Sequence, residues 1–504
     1  MPDRRKYRFQ ERCHVKRLND LTRLLTVKKV VPDANPAITS IHMDSREIKQ
    51  NGLFFCIRGY TVDGHQFAKQ AEEKGASAIV AEEEVDVSIP CVVVNDSKRA
   101  MAMMASAFYD YPTTRFRLIG ITGTNGKTTT SHLVDAIMQQ HQKTGLVGTM
   151  YTKIGSETKD TKNTTPESLP LQRLFAEMAE KHVETCIMEV SSHALDLGRV
   201  RGCDFNTAVF TNLTKDHLDY HKTMEAYKQA KGLLFSQLGN SYEAFAKTAV
   251  LNTDDEASAD FARMCTAPIL TYGIESDSDI QAENVQLTPS GTSFTLVTPW
   301  GQRNIKLSLM GRFSVYNALA AAAACLAEGV SLDSIQEGLS TVRGVSGRFE
   351  PVDVGQPYAV VVDYAHTPNS LENVLQTIQE MAEGNVYVVV GCGGDRDATK
   401  RPEMARIAVK YSDNAVFTSD NPRNEDPDQI LQHMVDGVEK EDSFTVISER
   451  RQAIRYAISR AKRNDIVLIA GKGHETYQII GNQVLDFDDR KEAESSIIES
   501  SKDQ

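Results

Sequence analysis

The stretch GITGTNGKTTT, residues 120–130, stands between a predicted strand and a predicted helix. RLIGIT, at 117–122, is a short apolar run typical of a buried strand, and TTSHLVDAIMQQ, at 129–140, repeats its apolar residues with helical spacing. In this setting the backbone N–H groups of a glycine-rich loop surround phosphate oxygens, and the helix N-terminus adds a partial positive charge. The stretch therefore predicts a phosphate-binding loop on a parallel α/β sheet.

Two side chains of this loop have predicted roles. We expect Lys127 to reach the outer phosphates of a nucleotide and the Thr128 hydroxyl to face Mg²⁺. The spacing departs from the common pattern G-x-x-x-x-G-K-[ST], because Ile121 occupies the first glycine position and Gly123 takes its place. The alternative is a glycine turn that happens to contain a lysine. The order of strand, loop, lysine and helix favours the phosphate site, although motors, kinases and ligases all use such loops.

Polar residues further along the chain suggest a metal site. Glu189 follows the apolar run of IMEVSSH, where a carboxylate is placed to hold a second Mg²⁺. His217 and His221 are four residues apart and would share one face of a helix, but the H-E-x-x-H pattern and a nearby cysteine are both missing, which disfavours zinc. One histidine in a magnesium site fits better. Lys231, taken alone, is interpreted as a solvated lysine of an amphipathic helix.

Alternating strand and helix patterns divide the chain into α/β regions. We predict a basic extension at 1–19, a smaller mixed α/β domain at 20–112, a central P-loop domain with a parallel sheet at 113–345 and a Rossmann-like domain at 346–504. Strand-like stretches in SGTSFTLVTPWGQRNIKLSL, at 290–309, predict an antiparallel edge to the central sheet.

Composition narrows the class of function. The chain has 504 residues and a net charge of -12, which argues against a general nucleic-acid binder because such proteins need a basic surface. Its eight cysteines include no C-x-x-C pair, and we find no secretory signal and no apolar run long enough to span a membrane. We therefore expect a cytoplasmic protein that binds neither nucleic acid nor membrane. We also expect it to be a monomer.

Eleven segments in chain order resemble the Mur ligase family. They are TGTNGKTTT, NTTPES, MEVSSHALDLGRV, TNLTKDHLDYH, YKQAKGLLF, GRFSVYNALAA, GVSGRFE, VDYAHTP, GCGGDRDATKRPEM, DNPR and GKGHE. The motifs are most similar to those of members that add the third peptide residue to UDP-N-acetylmuramoyl-L-alanyl-D-glutamate. The resemblance implies that a substrate carboxylate attacks the γ-phosphate of ATP, and that an amine then displaces phosphate from the acyl phosphate.

The same resemblance implies where ATP and Mg²⁺ bind. ATP contacts are implied for Gly123, Thr124, Asn125, Gly126, Lys127, Thr128, Thr129, Asn317, Arg348, Asp363 and His366. Within this set the phosphates are assigned to Arg348 and the ribose to Asp363. Glu189 and His217 look like ligands of the second Mg²⁺. Lys231 matches the lysine that the family carbamylates, which turns a cation into an anionic metal ligand and replaces the solvated interpretation.

Substrate contacts are implied for two further groups of residues. Ser45, Tyr60 and Thr61 match contacts to uridine diphosphate. Contacts to the rest of the nucleotide-peptide are implied for Thr164, Thr165, Ser191 and Arg199. Arginine suits a diphosphate or a carboxylate because its fork can donate two parallel hydrogen bonds. Leu197 stands where some members have glutamine.

DNPR, at 420–423, is predicted to select the amino acid that is added. The family uses either meso-diaminopimelate, whose distal end has a carboxylate and an ammonium, or L-lysine, which has the ammonium alone. We expect Arg423 and Arg396 to meet the carboxylate and Glu475 the ammonium, with the set completed by Asp420, Asn421, Pro422 and Gly471. Lysine-adding members lack the arginine of this motif, so the resemblance implies meso-diaminopimelate.

Three alternatives stay open at this point. A folylpolyglutamate-type ligase shares the central domain, but the N-terminal DSR…DGH segment and DNPR disfavour it. A P-loop switch or motor would respond to a macromolecule instead of the dipeptide substrate. A non-catalytic binder of UDP-sugars would bind the substrate without releasing ADP.

Overall fold

The computed structural model describes residues 15–59, 62–161, 163–240, 247–288, 291–439 and 442–500. Three main sheets follow one another along the chain, and helices cover them. The mixed α/β composition agrees with the predicted fold class. No helix in the described ranges is long and apolar enough to cross a membrane.

The first sheet has five strands in the order β2-β7-β6-β5-β4. Its neighbouring strands run parallel except at the β2 edge. The strands of this region are β1 (Lys16–Arg17), β2 (Lys29–Val31), β3 (Ala37–Ile38), β4 (Ser40–His42), β5 (Gly52–Phe55), β6 (Ala76–Ala81) and β7 (Cys91–Val93). The helices are α1 (Leu18–Thr22), α2 (Ala68–Glu73) and α3 (Ser97–Phe108).

The central sheet has eleven strands in the order β11-β10-β9-β12-β8-β13-β14-β15-β16-β17-β18. The strands are β8 (Arg117–Thr122), β9 (Thr144–Val147), β10 (Thr152–Ile154), β11 (Glu157–Lys159), β12 (Thr185–Glu189), β13 (Thr207–Phe210), β14 (Thr248–Asn252), β15 (Ile269–Gly273), β16 (Ile280–Thr288), β17 (Gly291–Thr298) and β18 (Gly301–Leu307). The helices are α4 (Lys127–Met138), α5 (Ser168–Glu180), α6 (Ser192–Asp196), α7 (Leu218–His221), α8 (Met224–Ser236), α9 (Ala257–Met264), α10 (Arg312–Ala327) and α11 (Leu332–Thr341).

Burial explains the sequence pattern of this sheet. Its middle strands are mostly apolar and buried because helices cover both faces. Strands β16 to β18 pair in antiparallel fashion, as predicted, and β17 alternates more and less buried side chains. The alanine-rich helix α10 packs against α4, and its small side chains allow close approach.

The third sheet has six strands in the order β19-β20-β24-β21-β22-β23, and only β19 is antiparallel to its neighbour. Its strands are β19 (Glu350–Pro351), β20 (Ala359–Asp363), β21 (Val386–Cys392), β22 (Asn414–Ser419), β23 (Phe444–Val446) and β24 (Ile466–Ala470), and β25 (Tyr477–Ile480) pairs with β26 (Gln483–Asp486) as a separate hairpin. The helices are α12 (Pro368–Met381), α13 (Lys400–Lys410), α14 (Pro427–Val435), α15 (Arg450–Arg460) and α16 (Asp489–Ser500). Two apolar clusters lie on opposite faces, as in a doubly wound domain.

The carboxyl ends of the parallel strands carry the predicted site residues. The phosphate loop follows β8, Glu189 ends β12 and Asp363 ends β20. Asp420 follows β22, and Gly471 follows β24. Ligands of open α/β sheets bind at this edge. The residues of the central sheet and those of the third sheet therefore both lie where a ligand would be expected.

Candidate active site

The phosphate loop depends on two glycines. Gly123 has φ 150° and Gly126 has φ 84°, a range that residues with a side chain rarely adopt. A Cβ atom on Gly123 would lie 1.9 Å from Thr211 Oγ1, and one on Gly126 would lie 2.3 Å from Asn317 Oδ1. Ile121 cannot be the first loop residue because it lies within β8 and is fully buried. The shifted glycine spacing therefore reflects the point where the strand ends.

Lys127 is the first residue of α4 and turns its ammonium back toward the loop. Its Nζ donates hydrogen bonds to the carbonyl oxygens of Gly123, at 2.9 Å, and Thr124, at 2.8 Å. Burial lowers the pKa of Lys127, while the nearby Glu189 carboxylate opposes the shift. The ammonium thus lies at the loop itself, where the phosphates of a nucleotide are expected.

A cavity of about 630 Å³ joins the central and C-terminal domains. Its lining includes most of the predicted ATP residues, namely Thr124, Asn125, Gly126, Lys127, Thr128, Thr129, Asn317, Arg348, Asp363 and His366. Both oxygens of Asp363 already accept backbone hydrogen bonds, from Phe349 at 2.7 Å and from Ala365 at 2.8 Å. Burial raises the pKa of Asp363, with Arg348 opposing. Asp363 therefore also shapes the backbone that carries Arg348.

Several lining residues were missed by sequence reasoning. Asn252 ends β14, and Phe313 and Tyr316 lie in the first turns of α10. The Asp254 carboxylate accepts from three backbone N–H groups and from the Tyr316 hydroxyl at 2.8 Å. Asn252 could have been predicted as a site residue because it lies at the carboxyl end of a strand. The turn that surrounds Asp254 has no comparable signature in the sequence.

Glu189 is fully buried and accepts hydrogen bonds from hydroxyl groups. Its Oε2 accepts from Thr128 Oγ1 and from Thr149 Oγ1, both at 2.9 Å, and its Oε1 accepts from the Thr149 N–H at 3.0 Å. A carboxylate beside a hydroxyl is an oxygen donor set that suits Mg²⁺. Within the described residues no three His, Cys, Asp or Glu side chains gather as a metal site. The residues present fit a cation that takes its remaining ligands from substrate phosphates and water.

Lys231 is buried, with 1% of its surface exposed, so its interpretation as a solvated lysine is wrong. Its Nζ donates to the Gly123 carbonyl at 2.7 Å and lies 4.5 Å from the centre of the Tyr227 ring. Among the described residues no carboxylate forms an ion pair with it. Burial, reinforced by the charge of Lys127, lowers the pKa of Lys231 well below its ordinary value. Burial thus disfavours the charged form of the Lys231 amine.

His217 and His221 do not have equivalent positions. His217 precedes α7 with φ 54°, whereas His221 ends that helix, is buried and lies 3.0 Å from Ser192 Oγ through its Nε2. His217 lies at the cavity, and its ring centre is 4.9 Å from that of His193. Partial burial lowers the pKa of His217 to about 4, with Asp216 opposing. A neutral imidazole at neutral pH keeps the lone pair that a metal ligand needs.

The predicted nucleotide-peptide residues lie beside Glu189. Thr165 Oγ1 donates to the Glu189 carbonyl at 2.8 Å and accepts from the Ser191 N–H at 3.1 Å. Arg199 donates to the Thr165 carbonyl at 3.1 Å and pairs with Glu167 at 2.7 Å. These contacts link the Arg199 guanidinium through Thr165 to the backbone of Glu189.

Two neighbouring threonine hydroxyls extend this network, because Thr164 Oγ1 lies 3.0 Å from Thr149 Oγ1. In the first domain the Ser45 hydroxyl donates to Gln70 Oε1 at 2.7 Å. The remaining predicted uridine contacts, Tyr60 and Thr61, lie outside the described residues.

The residues predicted to select the amino acid meet in what we call the C-terminal polar cluster, defined as Arg396, Asp420, Asn421, Pro422, Arg423, Gly471 and Glu475. A Cβ on Gly393 would lie 2.9 Å from Arg423 Nη1 and 3.8 Å from Arg396 Cγ, so the Arg423 guanidinium and the side-chain stem of Arg396 both lie beside Gly393. A Cβ on Gly471 would lie 3.2 Å from Asp420 Oδ2. The cluster thus gathers cations and carboxylates from the ends of three neighbouring strands.

The hairpin β25–β26 fixes the backbone of this cluster. Gln478 Nε2 donates to the Asp420 carbonyl at 2.6 Å, and the Arg423 N–H donates to the Ile479 carbonyl at 3.0 Å. Arg423 has φ 53°, and its Nη1 donates to the Gly394 carbonyl at 2.8 Å. Backbone contacts therefore hold Arg423 in a conformation that is uncommon outside glycine.

Comparison with known proteins identifies the family. Three family descriptions match, namely "Mur ligase family, catalytic domain" at 37–109, "Mur ligase middle domain" at 121–325 and "Mur ligase, glutamate ligase domain" at 347–473. A UDP-N-acetylmuramoyl-L-alanyl-D-glutamate–2,6-diaminopimelate ligase of Bacillus velezensis is 59% identical over 488 residues, which cover 96% of this chain and 99% of that protein.

Solved structures agree with this result. A structure of a UDP-N-acetylmuramoyl-L-alanyl-D-glutamate–2,6-diaminopimelate ligase is 33% identical with a TM-score of 0.69, covering 92% of this chain and 95% of that chain. The MurF ligase of Thermotoga maritima, solved in complex with ADP, has the same fold with a TM-score of 0.60 and 18% identity, covering 92% of this chain and 96% of that one. The predicted family and three-domain α/β fold are confirmed: the chain belongs to the Mur ligase family.

Proposed function

We propose that this protein is an ATP-dependent ligase that joins meso-2,6-diaminopimelate to UDP-N-acetylmuramoyl-L-alanyl-D-glutamate through an acyl phosphate. The observation that carries the proposal is the single cavity that unites the phosphate loop with Arg348 and Tyr364 of the C-terminal domain. A ligase of this type must hold a nucleotide and two further reactants in line. The similarity to diaminopimelate ligases over 96% of the chain supports the choice of substrates.

The central domain binds and activates the phosphates. Lys127 and the loop N–H groups neutralise charge on the outer phosphates, and Arg348 approaches from the opposite domain. The guanidinium of Arg348 lies 4.7 Å from the centre of the Tyr364 ring, which restricts its orientation. Fixed cations of this kind stabilise the charge that develops as the γ-phosphoryl group moves to the substrate carboxylate.

Mg²⁺ would be held by Thr128, Glu189, His217 and a carbamate on Lys231, and it would neutralise phosphate charge. The buried amine of Lys231 supports this assignment. A neutral amine attacks CO₂ through its nitrogen lone pair and releases one proton, which leaves an anionic carbamate. Without that reaction, the Nζ atoms of Lys127 and Lys231 both donate hydrogen bonds to the Gly123 carbonyl oxygen.

The remaining residues orient the two organic substrates. Arg199 and Thr165, beside Glu189, would hold the dipeptide whose carboxylate is activated. In the C-terminal polar cluster, Arg423 and Arg396 would meet the distal carboxylate of diaminopimelate, and Glu475 its distal ammonium. The amine at the other end would then face the acyl phosphate.

The deciding experiment measures ADP release with the UDP-muramoyl dipeptide and either meso-diaminopimelate or L-lysine. We expect turnover with diaminopimelate, a product larger by one diaminopimelate residue, and at least about a hundredfold lower kcat/KM with lysine. Equal use of both amino acids would contradict the specificity. ADP release that needs a macromolecule and no dipeptide would instead favour a P-loop switch, and tight substrate binding without ADP would indicate a non-catalytic binder.

Four finer expectations belong to the same proposal. The protein acts as a monomer in the cytoplasm, its cation is Mg²⁺, and its domains have the boundaries 20–112, 113–345 and 346–504. Light scattering, fractionation, metal titration of the activity and limited proteolysis test these expectations separately.

A further inference from the structure

Lys472 lies buried within the C-terminal polar cluster, although sequence reasoning gave it no role. Its surface is 0% exposed. Its Nζ donates to Asn421 Oδ1 at 3.2 Å and to Glu475 Oε2 at 3.3 Å, and it lies 3.7 Å from Asp420 Oδ1. A buried ammonium is stable only where nearby groups compensate its charge. Here the compensating groups are two residues predicted to bind the substrate.

The contacts around Lys472 form a closed triangle. Asn421 Nδ2 donates to Glu475 Oε2 at 2.9 Å, so the same carboxylate oxygen accepts from Asn421 and from Lys472. Asn421 Oδ1 also accepts from the Ile479 N–H at 2.9 Å. The triangle fixes Oε2 of Glu475 within the protein and leaves the other carboxylate oxygen for an incoming ammonium. Asp420 Oδ1 is buried and has no hydrogen-bond partner in the described part of the chain.

Arg450 is also a buried cation, but it does not pair with Asp420 or Glu475. Arg450 is 1% exposed, but it donates to both oxygens of Asp489, each at 2.7 Å, and to the Ala470 carbonyl at 3.0 Å. Its charge is therefore balanced by Asp489. In the ranges that the structure describes, Lys472 is the cation that forms ion pairs with both Asp420 and Glu475.

We propose that Lys472 is a positioning residue that sets the charge of the amino-acid site and thereby favours a zwitterionic end of the substrate over a purely cationic one. This inference rests on the proposed function. Asp420 and Glu475 alone would present two negative charges to a single distal ammonium. With Lys472 between them the group has one net negative charge, and the distal carboxylate reaches Arg423 and Arg396 without excess repulsion.

The test compares Lys472→Met, Lys472→Arg and Lys462→Met, the last being the same change at an exposed lysine of the same domain. In Lys472→Met we expect the KM for diaminopimelate to rise at least about tenfold, because two carboxylates lose their cation. The KM for ATP and for the dipeptide should change less than about threefold. The ratio of kcat/KM for diaminopimelate to that for L-lysine should fall at least about tenfold.

Lys472→Arg keeps the charge, so it should restore that ratio to within about threefold of wild type. The role is refuted if Lys472→Met lowers kcat/KM for both amino acids equally, if the ratio is unchanged, or if Lys472→Arg behaves like Lys472→Met. Circular dichroism establishes that the variants are folded, and Lys472→Gln replaces Lys472→Met if the latter is not. Failure of the proposed function looks different, since the wild-type enzyme itself would then not use diaminopimelate.

Discussion

Replacing Lys231 with methionine separates its proposed role as a metal ligand from its structural role. Methionine keeps most of the apolar stem and removes Nζ. The Gly123 carbonyl that loses this donor keeps the hydrogen bond from Lys127 at 2.9 Å, so no buried acceptor is left unpaired. We therefore expect the free energy of unfolding to change by no more than about 1 kcal/mol.

Catalysis should respond far more strongly. A carbamate on Lys231 would supply a negative ligand at the cation site, and loss of one such preorganised group costs about 3–4 kcal/mol of transition-state stabilisation. That energy corresponds to a fall in kcat of about 10²- to 10³-fold. ADP release at saturating substrates measures the fall, and urea unfolding measures stability.

The control is Lys228→Met, which lies on the same helix and pairs at the surface with Asp260 and Glu225. It should keep kcat within about twofold of wild type, since exposed ion pairs contribute little. Carbon-13 NMR with labelled bicarbonate should show a carbamate in wild type that is absent from Lys231→Met. Activity of Lys231→Met close to wild type would refute the metal-ligand role, and partial rescue by short carboxylates would support it.

Three further predictions concern other parts of the site. Arg423→Lys should raise the KM for diaminopimelate about 10- to 100-fold without changing that for ATP, because the paired donors are lost; steady-state kinetics with both substrates checks this. Gly126→Ala should destabilise the fold by about 2 kcal/mol and weaken ATP binding, since its Cβ would lie 2.3 Å from Asn317 Oδ1 at φ 84°; urea unfolding and calorimetry measure both effects. Burial lowers the pKa of His474 to about 4, so the unfolded chain binds this proton more readily and stability falls as pH drops from about 6.5 toward 4. His474→Gln should remove about 1–2 kcal/mol of the stability loss between pH 7 and pH 5, and a pH dependence of stability equal to that of wild type would contradict this.

Local features of the sequence predicted much of the fold. The strand, glycine loop and helix around Lys127 are encoded within about twenty residues, because periodicity and glycine placement act over short distances. The same holds for the antiparallel edge at β16 to β18 and for the doubly wound third domain. Glu189 could be found because it ends a strand, and parallel topology gathers such ends at one edge, whereas Asp420 was assigned through the family resemblance of DNPR.

What only the tertiary structure decided is which charged side chains are buried. Lys231 has the local sequence of a solvated helix residue, and sequence reasoning assigned Lys472 no role, yet both are almost completely removed from water. His217 and His221 are four residues apart in the sequence. Packing leaves His217 at the cavity and buries His221 against Ser192. Burial depends on which distant segment covers a side chain, and no local pattern records that. The sequence therefore determined which strand ends and loops carry the predicted phosphate and substrate residues, whereas the packing of the domains determined which lysines are removed from water.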